Sequence, residues 1–321
     1  MQLRNDFVAV QVPATTANMG PGFDSMGMAL DVWDDVSVHA TSGPTEVVIE
    51  GEGAGTVETG EDNLIVRALR FALDRMGAPQ VGIRMRCMNR IAHSRGLGSS
   101  AAAIVAGCGL ARALVGDPEA LTEADMLDIA TELEGHPDNV APALYGGATI
   151  AWMENGRPGM VSVGVPQRLQ PVVFIPDFEL STSRARAALP ATVPHGDASY
   201  NVSRAALLTA LLGTNLVASA SGGRMSPDFH ELLMIATDDR LHQEQRRSNM
   251  EPSLALVDWL RAAGIAAVIS GAGPTVISLE SVPAKICSDA RAAGWHVVNV
   301  GIPHRGLTVT RGQLKSTSHE R

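Results

Sequence analysis

Gly96-Leu97-Gly98-Ser99-Ser100-Ala101-Ala102 opens a run of small residues whose composition predicts a helix to about Val115. Two glycines so spaced let backbone N–H groups turn toward a ligand and approach it closely. Two serines follow where a helix's unpaired donors and the positive end of its dipole converge. This pattern holds an anion, phosphate above all. The chain contains no G-x-x-x-x-G-K-[ST], and the glycine cluster at 51–55 lacks the third glycine of a dinucleotide fingerprint, so a different nucleotide fold is implied. Taken alone, the segment also reads as a structural cap whose small residues permit close helix packing.

Two further loops bear on that choice. Val12-Pro13-Ala14-Thr15-Thr16-Ala17-Asn18 reads as a short strand entering a Gly/Pro-rich polar loop that ends Gly22-Phe23-Asp24, and Ser270-Gly271-Ala272-Gly273-Pro274-Thr275 links two apolar β-branched runs. In this order the three segments closely resemble the signature motifs of the GHMP kinases, named for galactokinase, homoserine kinase, mevalonate kinase and phosphomevalonate kinase. Glu134-Gly135-His136-Pro137-Asp138-Asn139, Ala185-Arg186-Ala187-Ala188-Leu189-Pro190 and Asp239-Arg240-Leu241-His242-Gln243 with Arg246 are similar to the local patterns of the homoserine branch, and the likeness is nearly full length. Ala92 stands where a proline often begins the phosphate loop, Ser94 where glycine is common, and Glu244-Gln245 where Pro-Tyr is frequent. These departures bear on loop geometry more than on chemistry.

The resemblance implies an ATP-dependent phosphoryl transfer to the hydroxyl of L-homoserine, within threonine biosynthesis. Ala92, His93, Ser94, Arg95, Gly96, Leu97, Gly98, Ser99, Ser100 and Ala101 would line the ATP phosphates, Asn63 would contact the adenine, and Ser99 with Glu134 would hold Mg²⁺. Asp24 would take the substrate ammonium and Arg186 with Arg246 its carboxylate, arginine being suited to bidentate pairing. Asn18 and Asn139 would orient the hydroxyl end, and His136 would line the pocket. Each residue has a plainer reading. Asn63 also suits a helix N-cap, Glu134 a solvated helix-end acid, Asp24 and Asn139 turn residues, Arg186 and Arg246 surface cations, and His242 a satisfied structural histidine. An acid in the last turn of a helix opposes the dipole, which favours a function for Glu134.

The elements that must position these residues mix strands and helices. Alternating apolar residues predict strands at Val8–Val12, Val36–Val38, Val47–Ile49 and Val81–Met85. Ile65, Ala68, Leu69, Ala72 and Met76 predict a helix from Asn63 to Gly77, and Thr122-x-x-Asp125 with Met126, Ile129, Ala130 and Leu133 predicts another ending at Gly135. A hairpin follows over 146–165, then a strand in Pro171–Pro176 and helices in Ser203–Leu212 and Ser253–Ala263. The pattern itself says mixed α and β in two lobes. The resemblance makes it an α+β, two-lobed GHMP kinase fold, with a nucleotide-binding α+β domain over residues 1–168, a ferredoxin-like α+β domain over residues 169–321, and the active site between them. Lys315–Arg321 reads as a loose polar tail.

Composition narrows the function classes. With 34 acidic against 25 basic residues, a net charge of −9 disfavours nucleic acid as a partner. The longest low-polarity stretch, Ser99–Ala111, is too short to span a bilayer, and the N-terminus lacks a signal-type apolar region, so no membrane role is expected. Three isolated cysteines, Cys87, Cys108 and Cys287, suit a reducing cytoplasmic compartment, and no spacing suggests protein-held zinc. The only lysines are Lys285 and Lys315, so the lysine-assisted base of the mevalonate and galactose branches is missing. A homodimer is expected from the resemblance. Another small-molecule kinase of the mevalonate-pathway type, and a catalytically silent binding protein of the same fold, stand as alternatives.

Overall fold

The computed structural model describes residues 2–213 and 228–310. Its first sheet is built on two long strands, β1 (Phe7–Asn18) and β2 (Gly22–Thr41), paired antiparallel from Phe7–His39 to Asn18–Gly22. The first motif is therefore mostly strand, and only residues 19–21 turn. A register shift between Pro13 and Ala14 puts extra β2 residues opposite β1, which bends the ribbon. Beyond the bend β2 changes partners. Asp35–Thr41 pairs with β4 (Gly82–Asn89), whose far side carries β3 (Glu46–Gly51) in parallel, while Met26–Met28 pairs with the hairpin β5 (Ala148–Glu154) and β6 (Arg157–Val163).

Four helices pack with this sheet, α1 (Leu64–Arg75), α2 (Ser99–Val115), α3 (Glu123–Glu134) and α4 (Pro137–Tyr145). Local signals set their ends as the sequence predicts. The Asn63 side chain caps α1, Thr122 and Asp125 form a reciprocal capping box on α3, and Gly135 ends α3 in the left-handed conformation. Small apolar residues on nearly every side suit α2 to the centre, where it contacts β1, α1, α3 and α4.

The second sheet holds β7 (Val172–Ile175), β8 (Ala267–Ile269), β9 (Val276–Ser278) and β10 (His296–Asn299) in the order β10-β7-β9-β8, all antiparallel. Counted within this unit the order is 4-1-3-2. Helices intervene between the first and second strands and between the third and fourth, a ferredoxin-like arrangement. Period-two alternation divides its side chains between two cores. Val172, Phe174, Ala267, Ile269 and Val276 face α8 (Glu251–Ala262) and α9 (Ala284–Ala292), whereas Val173, Val268 and Ile277 join the larger core of the first sheet. That larger core also takes Leu208, Leu211 and Leu212 of α6 (His195–Leu212) and Leu233 of α7 (Phe229–Ala236). Helix α6 thus begins eight residues before Ser203, with Asp197 in its first turn complementing the helix dipole. A short helix α5 (Thr182–Ala187) and a 3₁₀ turn (Glu244–Asn249) carry the arginines of interest. Strand β11 (Thr308–Thr310) returns to pair with β1. The Lys315–Arg321 tail lies outside the described residues. Among the described residues, no helix is long and apolar enough to cross a membrane.

Helices α1 and α2 touch at Gly107, where an added Cβ would stand 2.6 Å from both the Ala68 Cβ and the Ile65 carbonyl oxygen. Alanine is the better helix former by about 1 kcal/mol, but overpacking at a rigid contact costs about 1–3 kcal/mol. The clash therefore wins. Gly107→Ala should lower unfolding stability by up to about 2 kcal/mol in urea titration; a more stable variant would show that α1 moves freely on α2.

Candidate functional site

The three loops read from the sequence meet between the two sheets. Thr15 N–H donates to Leu97 O at 3.0 Å, Gly271 N–H to Ala17 O at 3.0 Å, and Thr275 N–H to Arg95 O at 3.2 Å. Ser270 Oγ donates to Gly96 O at 2.6 Å and lies 2.9 Å from Thr16 Oγ1. Gly98 caps α2 at φ 69° with no side-chain oxygen offered to the first-turn N–H groups, and an added Cβ there would stand 1.9 Å from Thr15 Oγ1. Only glycine fits this position, and the helix's opening donors stay available to a ligand.

Two clefts share Ser99 and Ser100 at that helix end. The first, of about 720 Å³, is walled by Val36, Ile49, Val57, Leu64, Ile65, Ala102, Ala103 and Ala106, with Asn63 and His93 at its lining. Burial holds the His93 imidazole below its ordinary pKa. Asn63 Oδ1 accepts from the N–H groups of Ile65 and Val66 while its Nδ2 donates to Glu58 O, so its amide is committed to capping α1.

The second cleft, of about 820 Å³, collects Asn18, Asp24, Glu134, His136, Asp138, Asn139, Arg186 and Arg246 from both halves of the chain, together with Ser94, Gly96 and Gly98. Asn18 is buried and serves the loops, donating to Gly271 O at 2.8 Å and accepting from Asp24 N–H at 2.9 Å. Asn139 Oδ1 accepts from Thr15 Oγ at 2.8 Å. Asp24 and Arg186 form a two-pronged pair, at 3.0 and 2.6 Å, and that bond raises the arginine's pKa. Arg246 is almost wholly buried, and burial, with Arg186 nearby, lowers its pKa to about 10.

Five of the expected residues, Ser99, Arg95, Ala92, Leu97 and Ala101, are placed otherwise. Ser100, and not Ser99, faces Glu134, donating to Oε2 at 2.6 Å. Successive helical residues point about 100° apart, so only one of the two hydroxyls can reach the end of α3. Burial pushes the Glu134 pKa up, against the Ser100 bond and the charge of His136. Arg95 turns away from both clefts. Its guanidinium donates to the carbonyls of His93, Pro176 and Asp177 and pairs with Glu179, tying the loop to the exit of β7. Ala92, Leu97 and Ala101 are buried behind the cradle and line neither cleft.

Family comparison agrees with this geometry. Residues 63–147 match the GHMP kinases N terminal domain and residues 224–293 the GHMP kinases C terminal domain. The chain is 46% identical over 304 residues to the homoserine kinase of Streptomyces coelicolor, covering 94% of each, and 43% identical over 312 residues to that of Leifsonia xyli, covering 95% of this chain and 92% of the relative. The chain belongs to the homoserine kinases of the GHMP family. Among solved structures, homoserine kinase from Cytophaga hutchinsonii superposes with a TM-score of 0.80 at 25% identity, covering 97% of this chain and 99% of that one. The mevalonate diphosphate decarboxylase of Enterococcus faecalis shares the fold at 0.65 and 13% identity, covering 95% and 99%.

Within this GHMP kinase cleft the sequence reading passed over one pair. His136 Nδ1 lies 2.6 Å from Asp138 Oδ1, the two held by the start of α4. Burial works against the imidazolium, but the Asp138 bond and charge, helped by Glu134, outweigh it and raise the His136 pKa above its ordinary value. Pro137 was a usable signal that a helix starts there, which puts His136 and Asp138 on either side of its first residue. Removing the carboxylate charge leaves burial opposed mainly by Glu134. In Asp138→Asn the His136 titration, followed by NMR of its ring protons, should therefore move down from the wild-type value to the ordinary histidine range or below. An unchanged midpoint would mean that another group sets it.

Proposed function

We infer that the protein is an ATP-dependent kinase that phosphorylates the hydroxyl of L-homoserine to O-phospho-L-homoserine, a step of threonine biosynthesis. The observation that carries this reading is the pair of clefts meeting at the first turn of α2, one apolar, the other lined by an acid and two arginines drawn from opposite halves of the chain. The full-length likeness to homoserine kinases supports it. A flat base fits the apolar cleft, the α2 N-terminus receives the phosphates, and the polar cleft takes a small zwitterion.

The metal of the reaction is proposed to be Mg²⁺. Among the described residues no three His, Cys, Asp or Glu side chains converge on one point, whereas one hydroxyl and one carboxylate, Ser100 and Glu134, stand beside the cradle. That set fits a hard cation completed by phosphate oxygens and water. When bound, Mg²⁺ would neutralise charge on the phosphates and hold them in line. The chain's own residues do the rest. Donors at the start of α2 stabilise charge on the transferred group, and Asp24, Arg186 and Arg246 align the acceptor hydroxyl by gripping the other end of the substrate. Asp24 and Arg186 satisfy each other in the structure. A zwitterion entering between them can exchange that pair for two new ones, ammonium to Asp24 and carboxylate to Arg186 and Arg246.

No side chain need act as a strong base. Lys285, the only lysine among the described residues, sits exposed on α9, and the Asp138 carboxylate is engaged by His136. The hydroxyl proton passes to phosphoryl oxygen or solvent. A silent binding protein would make no use of Ser100 and Glu134 beside the glycine loops, and no observation favours a mevalonate-type substrate. The proposal also keeps the division of the chain at 168–169, between β6 and β7, a homodimer, and a cytoplasmic setting suited to three free, buried cysteines.

Two measurements test this reading. In a coupled ADP-release assay with Mg²⁺ varied, Ser100→Ala and Glu134→Gln should each lower kcat roughly tenfold to a thousandfold, the Ser99→Ala loss being the smaller. Near wild-type turnover of both at limiting Mg²⁺ would remove the metal assignment. Arg246→Ala should lower kcat/KM for homoserine by roughly thirtyfold to several thousandfold, the usual range for stripping one partner from a desolvated charge pair. With 3-amino-1-propanol, which lacks the carboxylate, the same variant should lose little relative to wild type; equal proportional losses would mean that Arg246 does not read the carboxylate.

A further inference from the structure

His242 lies wholly buried between the first motif and Arg246. Its Nε2 stands 2.7 Å from Gly20 O and its Nδ1 3.1 Å from Arg246 Nη1. A carbonyl only accepts and a guanidinium only donates, so both partners dictate the same tautomer, with the proton on Nε2 and the lone pair on Nδ1. The charges around the ring agree with a neutral imidazole. Burial lowers its pKa, Arg246 adds to that, and Asp239, 3.8 Å away, with Asp24 opposes it. Asp239 itself is occupied by the N–H groups of Leu241, His242 and Gln243 and by Asn201.

The other end of the contact is a guanidinium with little else to hold it. Arg246 Nε donates to Ala185 O at 3.2 Å, Nη1 to His242, and Nη2 has no hydrogen-bond partner among the described residues, although Arg246 lines the substrate cleft. Phe23, the neighbour of Asp24, stacks on the His242 ring at 5.1 Å and lies 5.4 Å from the Arg246 guanidinium carbon. The β1–β2 turn and the start of β2, residues 20–24, therefore supply the carbonyl that fixes His242, the ring that supports it, and the acid that faces the arginines.

We propose that His242 is a positioning residue for substrate selection, joining the Gly20 carbonyl to Arg246 so that the guanidinium is held in register with Asp24 and keeps Nη2 for the substrate carboxylate. It touches no substrate. This rests on the reading of Arg246 given above, and it accounts for a fully buried histidine that no chemical step uses. Loss of the Nδ1 acceptor frees Arg246 to turn away, which weakens recognition of the carboxylate and leaves the nucleotide site alone.

The test compares His242→Leu, His242→Gln and His242→Asn with homoserine and with 3-amino-1-propanol, alongside Arg246→Ala. A hydrogen bond to a charged group is worth about a tenfold to hundredfold factor. His242→Leu should raise KM for homoserine by about that much, with KM for ATP and kinetics with 3-amino-1-propanol within about threefold of wild type. Asparagine puts an amide oxygen near the place of Nδ1, whereas glutamine reaches toward Gly20 instead. His242→Asn should therefore recover more of the homoserine KM than His242→Gln, a contrast that stands even where the leucine variant is too unstable to assay. Equal proportional losses on both acceptors, or glutamine and asparagine alike, would overturn the proposal while a selective Arg246→Ala effect left the carboxylate assignment standing. An unselective Arg246→Ala would overturn both.

Discussion

Backbone hydrogen bonds among three loops far apart in sequence are the constraint on which this site depends. Residues 15–17, 95–97 and 270–275 bond to one another through Thr15–Leu97, Ala17–Gly271 and Arg95–Thr275, and the Ser270 hydroxyl closes on Gly96. Main-chain groups cannot swing away as side chains can, and leaving them unpaired in a buried setting is costly. The α2 N-terminus is thereby held against strand β1 and the loop between β8 and β9. Gly98 and Gly107 serve the same end at different points of one helix, the first letting Thr15 approach its cap and the second letting α1 lie against its middle.

Charge in the cleft is arranged by mutual satisfaction among its own side chains. Asp24 holds Arg186, Asp138 holds His136, and Ser100 holds Glu134, each across 2.6 Å. Burial raises the Glu134 pKa and lowers that of Arg246, while the Asp138 partner lifts His136 against it. Where burial is deep, as at Arg246, a charged group gains most from a complementary charge. Arg246, with a nitrogen unmatched by any described residue, is the member of the set with the most to gain from an incoming carboxylate.

Much of this was legible in the sequence because the signals were local. Asn63 and the Thr122–Asp125 pair announce helix starts through hydrogen bonds spanning two or three residues, and Gly135 announces an end through its backbone freedom. The glycine loops marked the cradle for the same reason. Helix phase was not legible. Whether Ser99 or Ser100 meets Glu134 depends on how α2 is rotated against α3, which packing along the whole helix decides. Arg95 read as a phosphate ligand by its position in the loop, but its partners are carbonyls about eighty residues later that no short-range pattern reveals. The closure of Arg186 on Asp24 was likewise invisible, since each residue was matched to a substrate and not to the other.

Strand β11, pairing with β1 at the end of the described chain, has a topological consequence. The polypeptide leaves the first sheet after β6 and comes back to it after β10, so the second sheet and its helices are tethered at two places instead of one. A body tied by a single strand can swivel in three dimensions. One tied at two points, and sharing a core with its neighbour besides, keeps little of that freedom. Asp24 and Arg186 come from the two sides of that junction, so the fold as a whole sets the distance between them.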